Sequence, residues 1–211
     1  MCTDVRHRIK KKKGGRRATS PIVQLPSWQL CREFKSTVAD FPWEDEQTVI
    51  VGSVAAWRAC FPRARWANVK QRYGGRSTPV VDADFVHFVG LRRLEMRWCN
   101  SITDAAFVHL KGIHTLNMAS CYQSTITDAA FVHLKGIHSL GLYHCFRLTG
   151  AVFTHLKGVK RLNIGECTQL NLTDDSLKGI VWLNMYDHSQ AQVEMAKSLG
   201  YPVDQEWTSE V

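Results

Sequence analysis

Apolar residues recur at a fixed spacing between positions 91 and 188. In each unit they stand at the first, fourth and sixth positions of a short segment, and a Cys or His ends the segment at the ninth. Alternation of apolar and polar residues over so few positions predicts a short β-strand with one buried side. The segments are 91–99, 113–121, 137–145, 159–167 and 180–188.

A second pattern predicts a short helix between successive strands. The block 102–114 recurs letter for letter at 126–138. Within it, Thr103 or Asp104 is a suitable N-cap, Phe107 and Leu110 share one helical face, and Gly112 ends the turn. The unit repeats with the period of leucine-rich solenoids, about 20–29 residues. The predicted fold class is α/β: five repeats over 80–188 forming a short parallel sheet with helices on its other side, preceded by a small helical N-terminal element.

The array resembles the cysteine-containing type of leucine-rich repeat, in which the strand segment ends at a Cys and a Leu/Ile-Thr-Asp turn follows. The stretches from Cys99 to Asp104 and from Cys121 to Asp128 carry both halves of this motif, and His188 stands in place of the last Cys. The resemblance implies a curved sheet with convex helices, whose concave face recognises proteins.

Residues 21–70 lack the repeat and are predicted to form a separate helical element. Their layout resembles an F-box, which opens with Leu-Pro and closes with a Val and a Trp-Arg pair. The resemblance implies docking to a Skp-type adaptor of cullin-RING ubiquitin ligases through Leu25, Pro26, Phe34, Val54 and Trp57. The alternative is a helical cap for the first strand. Residues 71–79 would connect this element to the array, and 189–211 would form a C-terminal cap and tail.

The positive charge is concentrated at the amino terminus. Beyond the first 20 residues the chain has 19 basic and 18 acidic residues, although the whole chain carries a net charge of +8. The segment 1–20 has no apolar periodicity, so we expect a disordered tail that is a nuclear-import signal, a nonspecific nucleic-acid contact or simply a solubilising terminus. Its cations include Lys10, Lys11, Lys12, Lys13, Arg16 and Arg17.

The chemistry-bearing residues do not predict a catalytic site. Seven cysteines without Cys-x-x-Cys spacing fit neither a disulfide framework nor a zinc cluster. The repeat cysteines are expected to be buried packing residues, and four of the nine histidines are copies within the repeated helix block. We therefore expect a monomeric, noncatalytic protein without cofactor or membrane segment, located in the cytoplasm or nucleus.

Residues between the buried strand positions vary among units whose helix blocks are identical. Such variation is what a binding surface would leave, and drift at exposed sites would leave it too. The predicted function is recognition of a protein or peptide by the concave face; the alternative is a nuclear, nucleic-acid-associated protein acting through its tail. The face residues are Arg93, Glu95, Arg97, Trp98, Asn117, Tyr143, His144, Arg161, Asn163, Trp182, Asn184 and Tyr186.

Overall fold

The computed structural model describes Glu44 and residues 49–50, 52–69 and 79–204. The basic tail 1–20, the positions Leu25, Pro26 and Phe34, most of the connection 71–79 and the last residues 205–211 lie outside the described residues. No helix among the described residues is long and apolar enough to cross a bilayer.

The described chain forms an open parallel sheet of seven short strands, arranged in sequence order. Each strand pairs with the next in an unshifted register, so that Leu94, Leu116, Leu140 and Leu162 form one buried row. The strands are β1 (Trp66–Asn68), β2 (Arg93–Glu95), β3 (Thr115–Asn117), β4 (Ser139–Gly141), β5 (Arg161–Asn163), β6 (Trp182–Asn184) and β7 (Val203–Asp204).

The predicted α/β repeat solenoid is confirmed, since β2 to β6 fall within the five segments marked by the apolar spacing. The sheet is longer than predicted by one strand at each end. Strand β1 was missed because Ala64, Ala67 and Val69 occupy the positions of Leu91, Leu94 and Met96. A search for regularly spaced leucines does not find this strand, because its buried side chains are small.

Most of the predicted helices are single 3₁₀ segments. A Thr hydroxyl accepts a hydrogen bond from the backbone near the start of three of them, as Thr103 does from Ala105 at 3.2 Å. Except after the helix Val54–Cys60, the turn after each helix passes through a glycine with positive φ, such as Gly112 at +83°. The 3₁₀ segments are Asp82–Phe88, Asp104–Leu110, Asp128–Leu134 and Gly150–Thr154; the α-helices are α1 (Val54–Cys60), α2 (Asp174–Leu177) and α3 (Gln190–Ser198).

One continuous apolar core lies between the strands and the helical layer. Phe85, Phe107 and Phe131 are fully buried, and the rings of Phe107 and Phe131 lie 5.8 Å apart. Each unit therefore covers its neighbour rather than a core of its own, as expected for stacked repeats.

Helix α1 packs onto this array and does not form a separate element. Val54 is buried in the main core, and the Trp57 ring contacts Phe61 and Phe88 at centroid distances of 6.4 and 6.3 Å. Val54 is therefore not available to an adaptor, whereas Trp57 is half-buried. Their apolar area is used to cover the first repeat unit instead.

A ladder of carboxylates ties successive units together beside the sheet. Asp104 accepts hydrogen bonds from the backbone N–H of Thr127 at 2.7 Å and from its hydroxyl at 2.6 Å. Asp82 and Asp128 bind Thr103 and Thr149 in the same way. The ladder ends at Gly150, where a Cβ would lie 3.1 Å from the backbone oxygen of Asn171.

We predict that Asp104→Ala lowers the free energy of unfolding by about 1–2 kcal/mol, because two hydrogen bonds to an ionised acceptor are lost. Asp104→Asn should cost less, since its amide oxygen still accepts one of them. The control is Asp175→Ala, which removes another exposed aspartate from the first turn of a helix. Urea unfolding followed by circular dichroism measures all three, and equal losses for Asp104→Ala and Asp175→Ala would contradict the ladder.

Candidate recognition surface

The sheet side that faces away from the helices carries the residues predicted to recognise a partner. We call this surface the strand face: the exposed or half-buried side chains on β1 to β6 and on the turns that follow them. They include Trp66, Asn68, Glu95, Arg97, Trp98, Thr115, Tyr122, Tyr143, His144, Phe146, Arg161, Glu166, Trp182, Tyr186 and Asp187.

Four of the predicted face residues are buried, so they are not available as direct contacts. Asn117, Asn163 and Asn184 turn their side chains back, and each Oδ1 accepts a hydrogen bond from the backbone two residues later, at 3.0 to 3.2 Å. Arg93 is also buried, with its guanidinium 5.5 Å from the Trp66 ring centroid. The three asparagines hold the strand ends in place, and the prediction that they are exposed is wrong.

A turn of fixed conformation follows each of the strands β2 to β6. Trp98, Ser120, His144, Glu166 and Asp187 all have φ between 57° and 64°, the left-handed region that non-glycine residues rarely occupy. Their backbone N–H groups still reach the next unit where the sheet continues, as Trp98 does to Ala119 at 3.1 Å. The residues in this row therefore take equivalent backbone positions along the edge of the strand face.

The first end of the strand face is rich in arginine. Glu95 lies between two guanidinium groups, 3.6 Å from Arg93 and 3.6 Å from Arg97. Its side chain is 14% exposed. Because Glu95 sits between two cations, this end keeps a net positive charge, with Trp66 and Trp98 beside it.

The middle of the strand face contains an aromatic and acidic cluster. The Tyr143 hydroxyl donates to Glu166 Oε1, and His144 Nε2 lies 3.7 Å from Glu166 Oε2. The Phe146 ring meets the His144 ring edge-on at 4.1 Å, and Tyr122 lies 6.3 Å from the same imidazole. We call Tyr122, Tyr143, His144, Phe146 and Glu166 the aromatic cluster.

Two members of this cluster, Tyr122 and Phe146, were not predicted. Each directly follows a repeat cysteine, a position that we treated as part of the turn. Their side chains are 38% and 46% exposed, which is high for large apolar rings. A comparison of the residue after each Cys across the units would have found them, because the corresponding residues are polar in the other units.

A glycine creates the space that Tyr143 occupies. A Cβ on Gly165 would lie 3.0 Å from Tyr143 Cδ2 and 2.9 Å from Asn184 Oδ1. The Tyr143 ring therefore leans over the backbone of the next unit, which directs its hydroxyl to Glu166. Gly165 positions the ring without contacting a ligand itself.

The hydrogen bond to Glu166 raises the pKa of Tyr143 to about 12, with burial and the Glu166 charge adding to the shift. We predict that Glu166→Gln returns the pKa of Tyr143 toward its ordinary value of 10, because the negative charge is gone. The raised pKa stabilises the fold below pH 10, and this stabilisation is lost as the pH rises from 10 to 12. The wild-type protein should therefore lose more stability than Glu166→Gln over that interval.

Spectrophotometric titration of tyrosinate measures this shift in the full chain, which contains five tyrosines. The Tyr143→Phe variant identifies which transition belongs to Tyr143. An unchanged late transition in Glu166→Gln would mean that Glu166 does not hold the Tyr143 proton.

The repeat cysteines lie beneath the turns and are buried, as predicted. Each thiol donates to a backbone carbonyl of the preceding unit: Cys121 to Met96 at 3.3 Å, Cys145 to Met118 at 3.3 Å and Cys167 to Leu142 at 2.9 Å. Burial raises the pKa of all four thiols, that of Cys167 to about 11 and that of Cys99 to about 12. Neutral, buried thiols are poor nucleophiles and poor metal ligands.

His188 takes over the role of the cysteine in the last unit. Its Nε2 donates to the carbonyl of Ile164 at 2.8 Å, the position that the preceding Cys–carbonyl bonds predict. Within the described part of the chain, no group of three or more His, Cys, Asp or Glu side chains could hold a metal ion.

Comparison with known proteins shows weak structural similarity only at low sequence identity. The chain matches no family model and no curated protein. A solved structure described as the crystal structure of the Rad7 and Elc1 complex in yeast is similar at 15% identity with a TM-score of 0.42. That match covers 62% of this chain and 42% of the other. A similarity this low indicates neither a family nor a function for this chain. The solenoid fold is established by the strand register and the repeat spacing described above.

Proposed function

We propose that this protein recognises a peptide or an extended protein segment through its strand face, with the aromatic cluster as the anchor. The observation that supports the proposal is the pair of exposed rings, Tyr122 and Phe146, packed around His144 on a turn with fixed backbone. Aromatic side chains held rigidly in this way are typical of binding hot spots. The helix blocks 102–114 and 126–138, in contrast, are identical in sequence.

The size of the strand face favours a peptide over a large globular partner. The six strands of this face, at about 4.8 Å spacing, span about 24 Å. With about 13 Å of length per unit, the flat area is about 310 Å². A standard protein interface buries about 800 Å² on each partner, so an extended segment fits this face better.

A random peptide library displayed on phage tests the proposal directly. Peptides selected on the full chain should bind Tyr122→Ser/Phe146→Ser at least ten-fold more weakly, as expected for loss of an anchor. The matched control is Val108→Ser/Val132→Ser, which removes two equally exposed apolar side chains from the helical side. Peptides that bind both double variants equally, or a selection that enriches none, would reject the proposal.

We further propose, as a second function, docking to a Skp-type adaptor through the F-box-like segment. The observation that favours it is the Leu25-Pro26 opening, followed at F-box spacing by Val54 and Trp57. With Val54 and Trp57 packed against the array, the proposal rests on Leu25, Pro26 and Phe34. Size-exclusion chromatography with a Skp-type adaptor should show a complex that Leu25→Asp/Pro26→Ala abolishes. Separate elution of the two folded proteins would leave residues 21–70 with a capping role alone.

A further inference from the structure

The edge of the sheet at which strands β1 to β6 begin is positively charged. Because all strands are parallel, the loops that lead into β1 to β6 lie side by side at this edge. These loops are 61–65, 89–92, 111–114, 135–138, 157–160 and 178–181, and they hold eight Lys or Arg residues and no Asp or Glu. We call them the basic edge.

The cations of the basic edge are exposed and spread evenly. All eight Lys and Arg side chains are exposed, and each of the six loops supplies at least one. Among the described residues, Lys111, Lys135, Lys157 and Lys178 take part in no ion pair; the pairs lie on the strand face and on α3. A row of exposed cations therefore runs along the starts of β1 to β6.

The charges are segregated rather than in excess. Beyond residue 20 the chain is close to neutral, with 19 basic and 18 acidic residues. The acidic residues gather at the opposite edge, where helices begin with Asp82, Asp104, Asp128 and Asp174. Complementing helix dipoles explains the four lysines that follow helices, at positions 111, 135, 157 and 178. It does not explain Arg65, Arg92 and Lys160, which lie directly before strands.

The spacing of the cations identifies the polyanion that fits them. Six loops at the strand spacing of about 4.8 Å extend over about 24 Å, which gives one cation per about 3 Å. One strand of duplex DNA presents a phosphate every ~3.4 Å along the axis. An extended acidic peptide presents carboxylates on one face only every ~6.6 Å, about half that density.

We propose that the basic edge binds the phosphate backbone of a nucleic-acid duplex, independently of the peptide-binding function assigned to the strand face. Phe61 is the one Phe, Tyr or Trp in these loops, and it is buried. The loops also hold the imidazoles of His114 and His138, which stack on each other with their centroids 4.5 Å apart. Contacts from lysine and arginine to phosphate dominate this edge, so the binding does not depend on base sequence. The edge is part of the folded array, so it fixes the duplex in one orientation across the strands.

The test measures binding of the full chain to a fluorescein-labelled duplex of mixed sequence by fluorescence anisotropy, over a range of potassium chloride concentrations. The edge variant carries Lys111→Gln, Lys135→Gln, Lys157→Gln and Lys178→Gln. A matched tail variant carries Lys10→Gln, Lys11→Gln, Lys12→Gln and Lys13→Gln, which removes the same charge from the segment outside the described residues. A third variant replaces the four edge lysines with arginine.

The edge variant should bind at least ten-fold more weakly than the wild-type chain. Its plot of log affinity against log salt should be shallower by about 3–4, since each lost phosphate contact removes ~0.9 from the slope. The arginine variant should keep both the affinity and the slope. All variants should keep the circular-dichroism spectrum and the cooperative melting of the wild-type chain, because the edge lysines are exposed and lie outside the core.

Three results would overturn the proposal. The first is an edge variant with the wild-type slope, with the loss confined to the tail variant. The second is displacement of the duplex by polyglutamate at equal charge concentration, which would assign the edge to acidic protein segments. The third is a wild-type chain that does not bind the duplex at low salt.

Discussion

Replacing Arg58 with alanine should lower the free energy of unfolding by about 2–4 kcal/mol. The guanidinium of Arg58 donates to four backbone carbonyls: His87 at 2.6 Å, Ala64 at 3.0 Å, Val89 at 3.2 Å and Pro62 at 3.3 Å. It also lies 5.1 Å from the Trp57 ring centroid. Removing it leaves several carbonyls without a partner where helix α1 joins the first repeat unit.

The substitution should cause local unfolding near helix α1 before the whole array unfolds. In a stacked array each unit contacts only its neighbours, so α1 and β1 are expected to open while β2 to β6 stay folded. Hydrogen exchange would then rise over 54–69 at denaturant concentrations that leave the amides of β4 protected. Urea unfolding gives the accompanying change in stability.

Two variants separate the hydrogen-bonding fork from its charge. Arg58→Lys keeps the positive charge but loses the planar set of donors, so its effect should lie between those of wild type and alanine. Arg147→Ala removes an exposed arginine from a turn and should change stability by less than about 0.5 kcal/mol. If Arg58→Ala were as mild as Arg147→Ala, the four carbonyl bonds would contribute nothing net.

Arg58 also shows where sequence reasoning reached its limit. The pair Trp57-Arg58 was assigned to an F-box by its spacing, because an amphipathic helix looks the same whether it binds an adaptor or its own chain. What distinguishes the two is the set of carbonyl oxygens at His87 and Val89, about thirty residues away. Such distant backbone acceptors leave no trace in a local pattern.

The repeat core was predictable because its physical requirement is simple. Each unit must bury one strand side and one helical face, so apolar residues recur at every unit, and an exact duplication makes the period unmistakable. The turn glycines and threonine caps follow from the same repetition. Strand β1 was not predicted because alanine and valine, which have less volume, fill the positions that leucine and methionine occupy in the other units. Helix α1 fills the remaining space with Val54 and Trp57.

The candidate surface was predictable in position but not in membership. Alternation along a strand predicts which side chains point away from the core. It does not predict whether such a side chain is exposed to solvent or folds back onto the backbone. Asn117, Asn163 and Asn184 fold back because a short amide reaches the backbone two residues later, a local competition that favours Asn in turns. Tyr122 and Phe146 lie beyond the strands, where alternation gives no information.

The charge pattern carries a similar lesson for the whole chain. Net charge pointed to the tail, because the rest of the sequence sums to nearly zero. Parallel strands place every loop that precedes a strand on one edge, so residues some 20 positions apart in sequence become neighbours. Segregated charge is therefore visible only once the topology is known.

The duplicated helix block allows one substitution to be made twice in nearly identical surroundings. Phe107→Ala and Phe131→Ala should each cost about 3–5 kcal/mol, the usual cost of removing a fully buried ring. The double variant should cost less than the sum, because the rings lie 5.8 Å apart and share one packing space. Phe107→Leu and Phe131→Leu, which keep most of the volume, allow the same comparison if an alanine variant does not fold.

The adjacent valines supply the control for this comparison. Val108 and Val132 stand next to these phenylalanines on the same helices but are 50% and 52% exposed, so their alanine variants should change stability by less than about 0.5 kcal/mol. Urea unfolding monitored by circular dichroism measures every variant. Strict additivity of the two phenylalanine substitutions would mean that each unit packs independently. The apolar core would then stabilise each unit separately. Neighbouring units would be coupled only by the hydrogen bonds between strands and by the aspartate–threonine hydrogen bonds.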